Sequence, residues 1–462
     1  MATIIKNGIL VNPTDAFKAD LKIENGIISM VDDQIDAEKD DLVIDATDKY
    51  VLPGGIDPHT HLAISDTLDD FESGTQAAAS GGITSIINFT DPQVDQSFLE
   101  NLEEWKKKGE NSLIDYGLHS IINRCDETVL KEIAKLPEEG VTSIKLFMAY
   151  RGTNMVDDRK MYLLMKAAAE AELLTNVHAE NGDIIDYLIE DALIKGHTSP
   201  IYHALTRPPS TEAEATNRAL RIAEIAEAPV YIVHVTCEEA LEEVKRAKKR
   251  GVAAFAETCP QYLVLNQSYL EKENIESVKY ICSPPLRSKD DQKALWSGIA
   301  EGVISTIGSD HASHPFKNGK EKGENDFTKA PNGLPGIENS FLLMYHFGVH
   351  EKRISIQKFV EITSYNPAKI FGLYPKKGSL NIGSDADIVI LDPNKEKTIT
   401  QKTQKQRTEY NVYEGFKIMG DLSYVISRGE IIVKENVVTG KPGHGEFLFR
   451  NKFEKLQVDG GR

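Results

Sequence analysis

One recurring unit constrains this chain more than any other feature. A short apolar, β-rich run ends in a polar or histidine residue, and a longer helical stretch with charged faces follows before the next run begins. The runs are Tyr50 to Ile56, Ser85 to Phe89, Asp115 to Ile121, Ser143 to Met148, Leu174 to Val177, Val230 to Val233, Ala253 to Glu257 and Val303 to Ile307. Strands that alternate with helices and are apolar on both faces imply a parallel sheet, and eight such units allow closure into a (β/α)8 barrel of the TIM type. An open doubly wound sheet satisfies the same pattern. A barrel of about 250 to 400 residues plus one small domain accounts for the 462 residues.

The ends are patterned differently. Thr3 to Ile5, Leu21 to Ile23 and Ile27 to Met30 are short alternating segments, and the Asn-Gly pairs at Asn7-Gly8 and Asn25-Gly26 are hairpin-turn signals. The same style resumes with Ile388 to Leu391, Tyr424 to Ser427 and Ile431 to Val433, broken by Gly378, Gly383 and Gly429. The expected organisation is therefore a small β-sandwich built from both chain ends, residues 1–50 and 375–440, beside a barrel spanning 51–374, with a tail from 441 to 462.

Charge and composition exclude some functions. The net charge of -18, from 71 acidic against 53 basic residues, repels phosphate backbones and anionic membranes. The basic stretches Lys106 to Lys108 and Lys245 to Arg250 lie in helical patterns and read as solvated faces, so no nucleic-acid partner is expected. No apolar run approaches the ~20 residues that cross a bilayer, and Met1 to Asn7 has no signal-peptide pattern, so a cytoplasmic protein without a membrane partner is expected. Cys125, Cys237, Cys259 and Cys282 are widely and unevenly spaced, which argues for reduced, mostly buried thiols.

The first barrel run leads into Asp57-Pro58-His59-Thr60-His61. Alternate side chains of an extended segment face the same way, so His59 and His61 point together to one side, where two imidazoles can share a metal ion. Lys145 sits inside an apolar run, His178 and His234 end two others, and Asp310 follows the last. The carboxyl ends of barrel strands are where TIM-barrel active sites are assembled. Taken singly, His178 or His234 reads equally as a hydrogen-bonded core histidine, and Asp310 as a helix N-cap. Lys145 is the oddity: an ammonium buried in an apolar strand must find a counter-charge, lose its proton or be covalently altered. A neutral amine can capture carbon dioxide, and the resulting carbamate can bridge two divalent ions.

These residues, with their surroundings, resemble the hydantoinase and dihydropyrimidinase branch of the amidohydrolase superfamily. The resemblance runs through Gly54 to His61, Asp70 to Thr75, Lys145 to Tyr150, Val177 to Gly182, Tyr202 to Pro208, Glu257 to Leu263, Ser283 to Arg287, Pro331-Asn332-Gly333 and Gly440 to Gly443, essentially the whole chain. It implies two Zn2+ per chain, replaceable by Mn2+ or Co2+. One ion would be held by His59 and His61 and the other by His178 and His234. Lys145, as N6-carboxylysine, would bridge them, and Asp310 would join the first. Tyr150 matches the tyrosine that polarises the substrate carbonyl, and Ser283 and Asn332 match positions whose backbone groups hold the ring's amide edge. Asp310 would carry a proton to the leaving nitrogen, and Glu180 and His311 are candidates for support. The family also implies a homotetramer.

The expected activity is zinc-dependent ring opening of hydantoins or dihydropyrimidines to N-carbamoyl amino acids. The alternatives are an allantoinase-type or other cyclic amidohydrolase and a non-catalytic scaffold of the same fold. The loop Leu62 to Asp69 lacks the Pro-Phe-Gly-Gly type of sequence found in many hydantoinases, and Ala312 stands where many relatives have cysteine. Ala63 occupies the place of the arginine by which dihydroorotases bind a substrate carboxylate, so a neutral small cyclic amide is expected.

Overall fold

The computed structural model describes residues 2–272 and 275–454. Five strands open the chain: β1 (Thr3–Val11), β2 (Ala16–Glu24), β3 (Ile27–Asp32), β4 (Leu42–Asp45) and β5 (Tyr50–Pro53). Eight follow with helices between them: β6 (Gly55–Thr60), β7 (Ile83–Phe89), β8 (Asp115–Ile121), β9 (Ser143–Phe147), β10 (Leu174–His178), β11 (Val230–Ile232), β12 (Ala254–Thr258) and β13 (Thr306–Ile307). The last four are β14 (Ile388–Thr398), β15 (Lys417–Ser427), β16 (Glu430–Lys434) and β17 (Val437–Val438).

Strands β6 to β13 form one parallel sheet in chain order. Backbone bonds bring its two ends together: Asp310 N–H donates to the His59 carbonyl at 2.9 Å, His61 N–H donates to the His311 carbonyl at 2.9 Å, and Thr60 bridges His311 in parallel. The sheet is thus a barrel, and the open doubly wound alternative is excluded. Every residue of β6 to β10 is buried, as strands covered on both faces must be.

The run Tyr50 to Ile56 divides in two. Its first half, β5, pairs antiparallel with β14, Val51 opposite Ile390, and only its second half enters the barrel. The expected pairing of the two chain ends is therefore made directly, in a nine-stranded sheet ordered β17-β16-β15-β14-β5-β1-β2-β3, with β4 on β1. Leu10, Leu21, Ile28 and Val51 from the first end pack with Ile388, Ile390 and Ile426 from the second in one apolar cluster. Two pairings of this sheet, β1 with β4 and β1 with β5, are parallel, whereas the hairpin-turn signals at this end imply only antiparallel neighbours.

Asn25-Gly26 makes the hairpin turn between β2 and β3, with positive φ at both residues. Asn7-Gly8 does not turn the chain. It forms a bulge within β1, where a Cβ on Gly8 would lie 2.4 Å from Val51 Cγ2, so the glycine serves the close approach of β5. At the opposite end of the barrel from the strand carboxyl ends, Lys377 Nζ lies 2.7 Å from Asp115, 2.9 Å from Asp385 and 2.6 Å from Asp387, joining β8 to the approach to β14. The tail follows β8, with Tyr116 bridging Phe447 and Arg450 donating to Ser143 Oγ at 2.9 Å. Residues 455–462 of the expected tail lie outside the described residues.

The basic stretches are helix faces. Lys106 pairs with Glu103 and Glu139, and Lys245 with Glu242 and Glu301. All four cysteines are free, three of them buried and Cys125 half-buried. Among the described residues no helix is long and apolar enough to cross a membrane.

Candidate active site

The strand carboxyl ends surround a cavity of about 370 Å3 lined by His59, His61, Lys145, His178, His234 and Asp310, with Tyr150, Ser283 and Asn332 at its wall. Each metal-site candidate read from the sequence is therefore brought to one place. His59 Nε2 and His61 Nε2 stand 3.3 Å apart, and Asp310 Oδ1 is 3.1 Å from the first and 3.2 Å from the second. Opposite them, His178 Nδ1 faces His234 Nε2 at 2.8 Å. Asp310 starts no helix, which removes its N-cap reading.

The second ring nitrogens explain this arrangement. His59 Nδ1 is 2.6 Å from Glu257 Oε1, and His178 Nε2 is 2.7 Å from Glu180 Oε2. A carboxylate claims the N–H of each ring, leaving the bare nitrogen of the neutral tautomer aimed into the cavity, an orientation typical of metal-binding histidines. In that tautomer His59 would turn a lone pair on the Asp310 carboxylate at 3.1 Å. Two acceptors so placed repel each other unless a cation sits between them. The donor set thus fits a divalent metal ion.

Burial lowers His61 and His234 below the ordinary imidazole range, His234 strongly, which favours the neutral, ligating form. Burial also opposes protonation of His59, but Glu257 and Asp310 outweigh it and raise that ring to about 9. Asp310 is held well below the usual carboxylate range, burial being overcome by His59 and His61. This mutual pull is what two acceptors show when only a proton can join them.

Lys145 lines the same cavity as the two histidine pairs. It is fully buried and makes no hydrogen bond or ion pair among the described residues; its Nζ stands 4.8 Å from the Phe89 ring centre and 5.1 Å from that of Phe147. Burial lowers it to about 8, against the pull of Asp310 and Glu257. An amine so disposed has a far larger neutral fraction near neutral pH than an ordinary lysine, and the neutral amine is the form that reacts with carbon dioxide.

Tyr150, His234 and Asp310 all have positive φ, 65°, 40° and 51°. Non-glycine residues in this region cost about 1 kcal/mol or more each and cluster where a side chain must be aimed. Burial, then Glu180, raises the Tyr150 phenol far above its ordinary range, so it remains a hydrogen-bond donor, and it bonds with Ser283. His311, read as a supporting group, points elsewhere: its Nε2 meets Asp69 at 3.2 Å and its Nδ1 accepts from Gly336 N–H at 3.1 Å, so it ties loops together behind the cavity.

Glu257 is the functional residue that the sequence reading left unassigned. It accepts from His59 Nδ1 and from the His234 amide at 3.1 Å through Oε1, and from the Tyr231 hydroxyl at 2.8 Å through Oε2. A Cβ on Gly308 would lie 2.7 Å from its carboxyl group and 2.8 Å from His59 Cβ, so only glycine fits beneath the pair. The available signal was the one used for Lys145: an ionisable residue in a β-rich apolar run.

Comparison with known proteins adds an independent line. Residues 50–432 match the model of the amidohydrolase family. The chain is similar to D-hydantoinase of Geobacillus stearothermophilus, 47% identical over 99% of this chain and 98% of that protein. It is also 46% identical to D-hydantoinase of Ralstonia pickettii, over 98% and 100% of the two chains. Among solved structures, dihydropyrimidinase from Brevibacillus agri superposes with a TM-score of 0.96 at 43% identity, over 98% of this chain and 100% of that one.

Proposed function

Because the chain belongs to the amidohydrolase family, we propose that it hydrolyses the cyclic amide bond of hydantoins or dihydropyrimidines, releasing N-carbamoyl amino acids, with two zinc ions per chain. The observation that carries this reading is the convergence of two histidine pairs, each with one ring oriented by a buried carboxylate, with Lys145 in one cavity. His59, His61 and Asp310 would hold the first ion and His178 and His234 the second, with Lys145 as N6-carboxylysine between them. Mn2+ or Co2+ would substitute.

When bound, such a pair of ions supplies acidification of a water molecule and polarisation of the scissile carbonyl. The protein supplies the rest. Tyr150, kept protonated by burial, donates to the oxygen that becomes negative as the carbonyl turns tetrahedral. Asp310, ionised and facing the cavity, takes a proton from the attacking water and returns it to the ring nitrogen, which leaves as an amine rather than as a strongly basic amide anion. The backbone at Ser283 and Asn332 holds the ring's amide edge, and Phe147, Ile64 and Ile121 give the cavity its apolar walls.

The ring is uncharged. Among the described residues lining the cavity Lys145 is the only lysine or arginine, whereas Asp66 and Asp91 stand at the wall, so a substrate carboxylate meets no free cation among them. Hydantoin, its 5-substituted forms and dihydrouracil are therefore expected substrates, and dihydroorotate a poor one. Steady-state hydrolysis of these rings and of allantoin tests the proposal, and failure to open any hydantoin or dihydropyrimidine would overturn it.

We also propose a homotetramer, as the family resemblance implies; Tyr187, Ile194, Leu205 and Ile225 are exposed apolar side chains on successive helices of the chain that such an assembly would cover. Sedimentation measures this directly. The free thiols suit the reducing cytoplasm, where the enzyme would act.

A further inference from the structure

Lys320 is fully buried and, among the described residues, pairs with no carboxylate. Its Nζ donates instead to two backbone carbonyls, Ile281 at 2.6 Å and Pro331 at 2.7 Å. These belong to two separate loops, one leading to Ser283 and the other to Asn332. A buried ammonium without a counter-charge is expensive, and burial lowers this one to about 7, with Cys282 pulling the other way. Charged or neutral, the amine has hydrogens for both carbonyls.

The consequence lies in the peptide planes. The Pro331–Asn332 bond is trans, so a Pro331 carbonyl turned toward Lys320 forces the Asn332 N–H to the opposite side. That N–H has no acceptor among the described residues, and Asn332 lines the cavity. The Ile281 carbonyl also accepts from Gly333 N–H at 3.3 Å, which joins the two loops next to the same amine. His203 Nε2 holds the adjoining Cys282 carbonyl at 2.8 Å, and His314 Nε2 meets the Asn332 carbonyl at 3.3 Å.

We propose that Lys320 is a positioning residue for substrate: by holding the Ile281 and Pro331 carbonyls on one amine it sets the spacing and orientation of the loops that present Ser283 and Asn332 to the ring. This rests on the proposed cyclic-amide reaction. Lys320 touches neither the ring nor the metal ligands, so its removal loosens recognition while the ligand cluster stays assembled. A displacement of about 1 Å at such a site is enough for a loss of about 100-fold in efficiency.

The test compares Lys320→Met, which keeps length without donors, and Lys320→Gln, which keeps one donor group, with wild type. Hydantoin kinetics, metal content per chain and thermal unfolding are measured for each. The expected result is kcat/KM lowered at least about ten-fold in the methionine variant, mainly through KM, less so in the glutamine variant, with metal content unchanged. Unaltered kcat/KM in a folded methionine variant overturns the inference, as does a loss that tracks lost metal. If neither variant folds, Lys320 is a stability residue and the inference also falls. Wild type measured alongside separates the two readings: an inactive wild type overturns the proposed reaction itself, whereas an active wild type matched by the variants overturns only the role of Lys320.

Discussion

Replacing Glu257 with glutamine separates the charge behind His59 from the shape that holds it. The carboxylate accepts three hydrogen bonds, from His59 Nδ1, the His234 amide and the Tyr231 hydroxyl, and is wholly buried. In Glu257→Gln the amide oxygen still accepts from His59 and His234, and the amide NH2 donates to Tyr231, whose hydroxyl turns to Thr306 Oγ1 at 2.5 Å. The packing survives and the negative charge is lost. Groups orienting a metal-binding histidine contribute about 10- to 100-fold to metal affinity or rate, about 1.4 to 2.8 kcal/mol. Glu257→Ala is a different experiment, because it strands two buried donors, His59 Nδ1 and the His234 amide, at about 1 to 3 kcal/mol each, or about 2 to 6 kcal/mol against a whole-protein stability of about 5 to 15. The prediction is that Glu257→Gln unfolds within a few degrees of wild type in chelator, yet binds its metals at least about ten-fold more weakly by equilibrium dialysis. The alanine variant is severely destabilised even without metal. Glu257→Gln with wild-type metal affinity and rate would refute the argument that this carboxylate tunes the ligand.

Further outcomes are expected at other residues. Asp310→Asn keeps the fold but loses most of the rate, since an amide can touch a metal ion but cannot carry the proton; near-normal turnover removes Asp310 from that role. Lys145→Ala loses metal along with activity, and intact-protein mass spectrometry or crystallography of active wild type shows the added carbon dioxide; an unmodified lysine in metal-loaded active crystals contradicts this. Burial raises the Glu338 carboxyl to about 7, against the amides of Lys405 and Gln406. Its folded pKa exceeds its unfolded one, so the folded state holds the extra proton and the associated stability is lost as pH rises through about 7. The Tm of Glu338→Gln relative to wild type therefore rises from about pH 5 to about pH 8, and a constant difference would refute it.

The barrel was legible because its eight units repeat one physical pattern, and His59, His61, Lys145, His178, His234 and Asp310 were legible because each puts chemistry at or beside an apolar run. What the pattern hid was tertiary. Tyr50 to Ile56 reads as one strand, yet the chain changes sheets at Gly54, a break set by the pairing of β5 with a strand over 300 residues away. Asn7-Gly8 has the composition of a turn, but the close approach of Val51 makes it a bulge. Lys320 has no local signal of function, and Glu257 only that of a charge in a β-rich apolar run, because the first acts through two loop carbonyls and the second through His59, which is distant in sequence. His311 had such a signal, next to Asp310, and is turned away by Asp69 and the backbone at Gly336.

The most direct test of the central claim is a steady-state comparison of hydantoin, phenylhydantoin, dihydrouracil, allantoin and dihydroorotate on protein with measured metal content, before and after chelation. The account predicts close to two divalent ions per chain, highest kcat/KM on a hydantoin or on dihydrouracil, little turnover of dihydroorotate, and activity lost on chelation and restored by zinc, manganese or cobalt. A clear preference for dihydroorotate or allantoin, or full activity with less than one ion per chain, would contradict it.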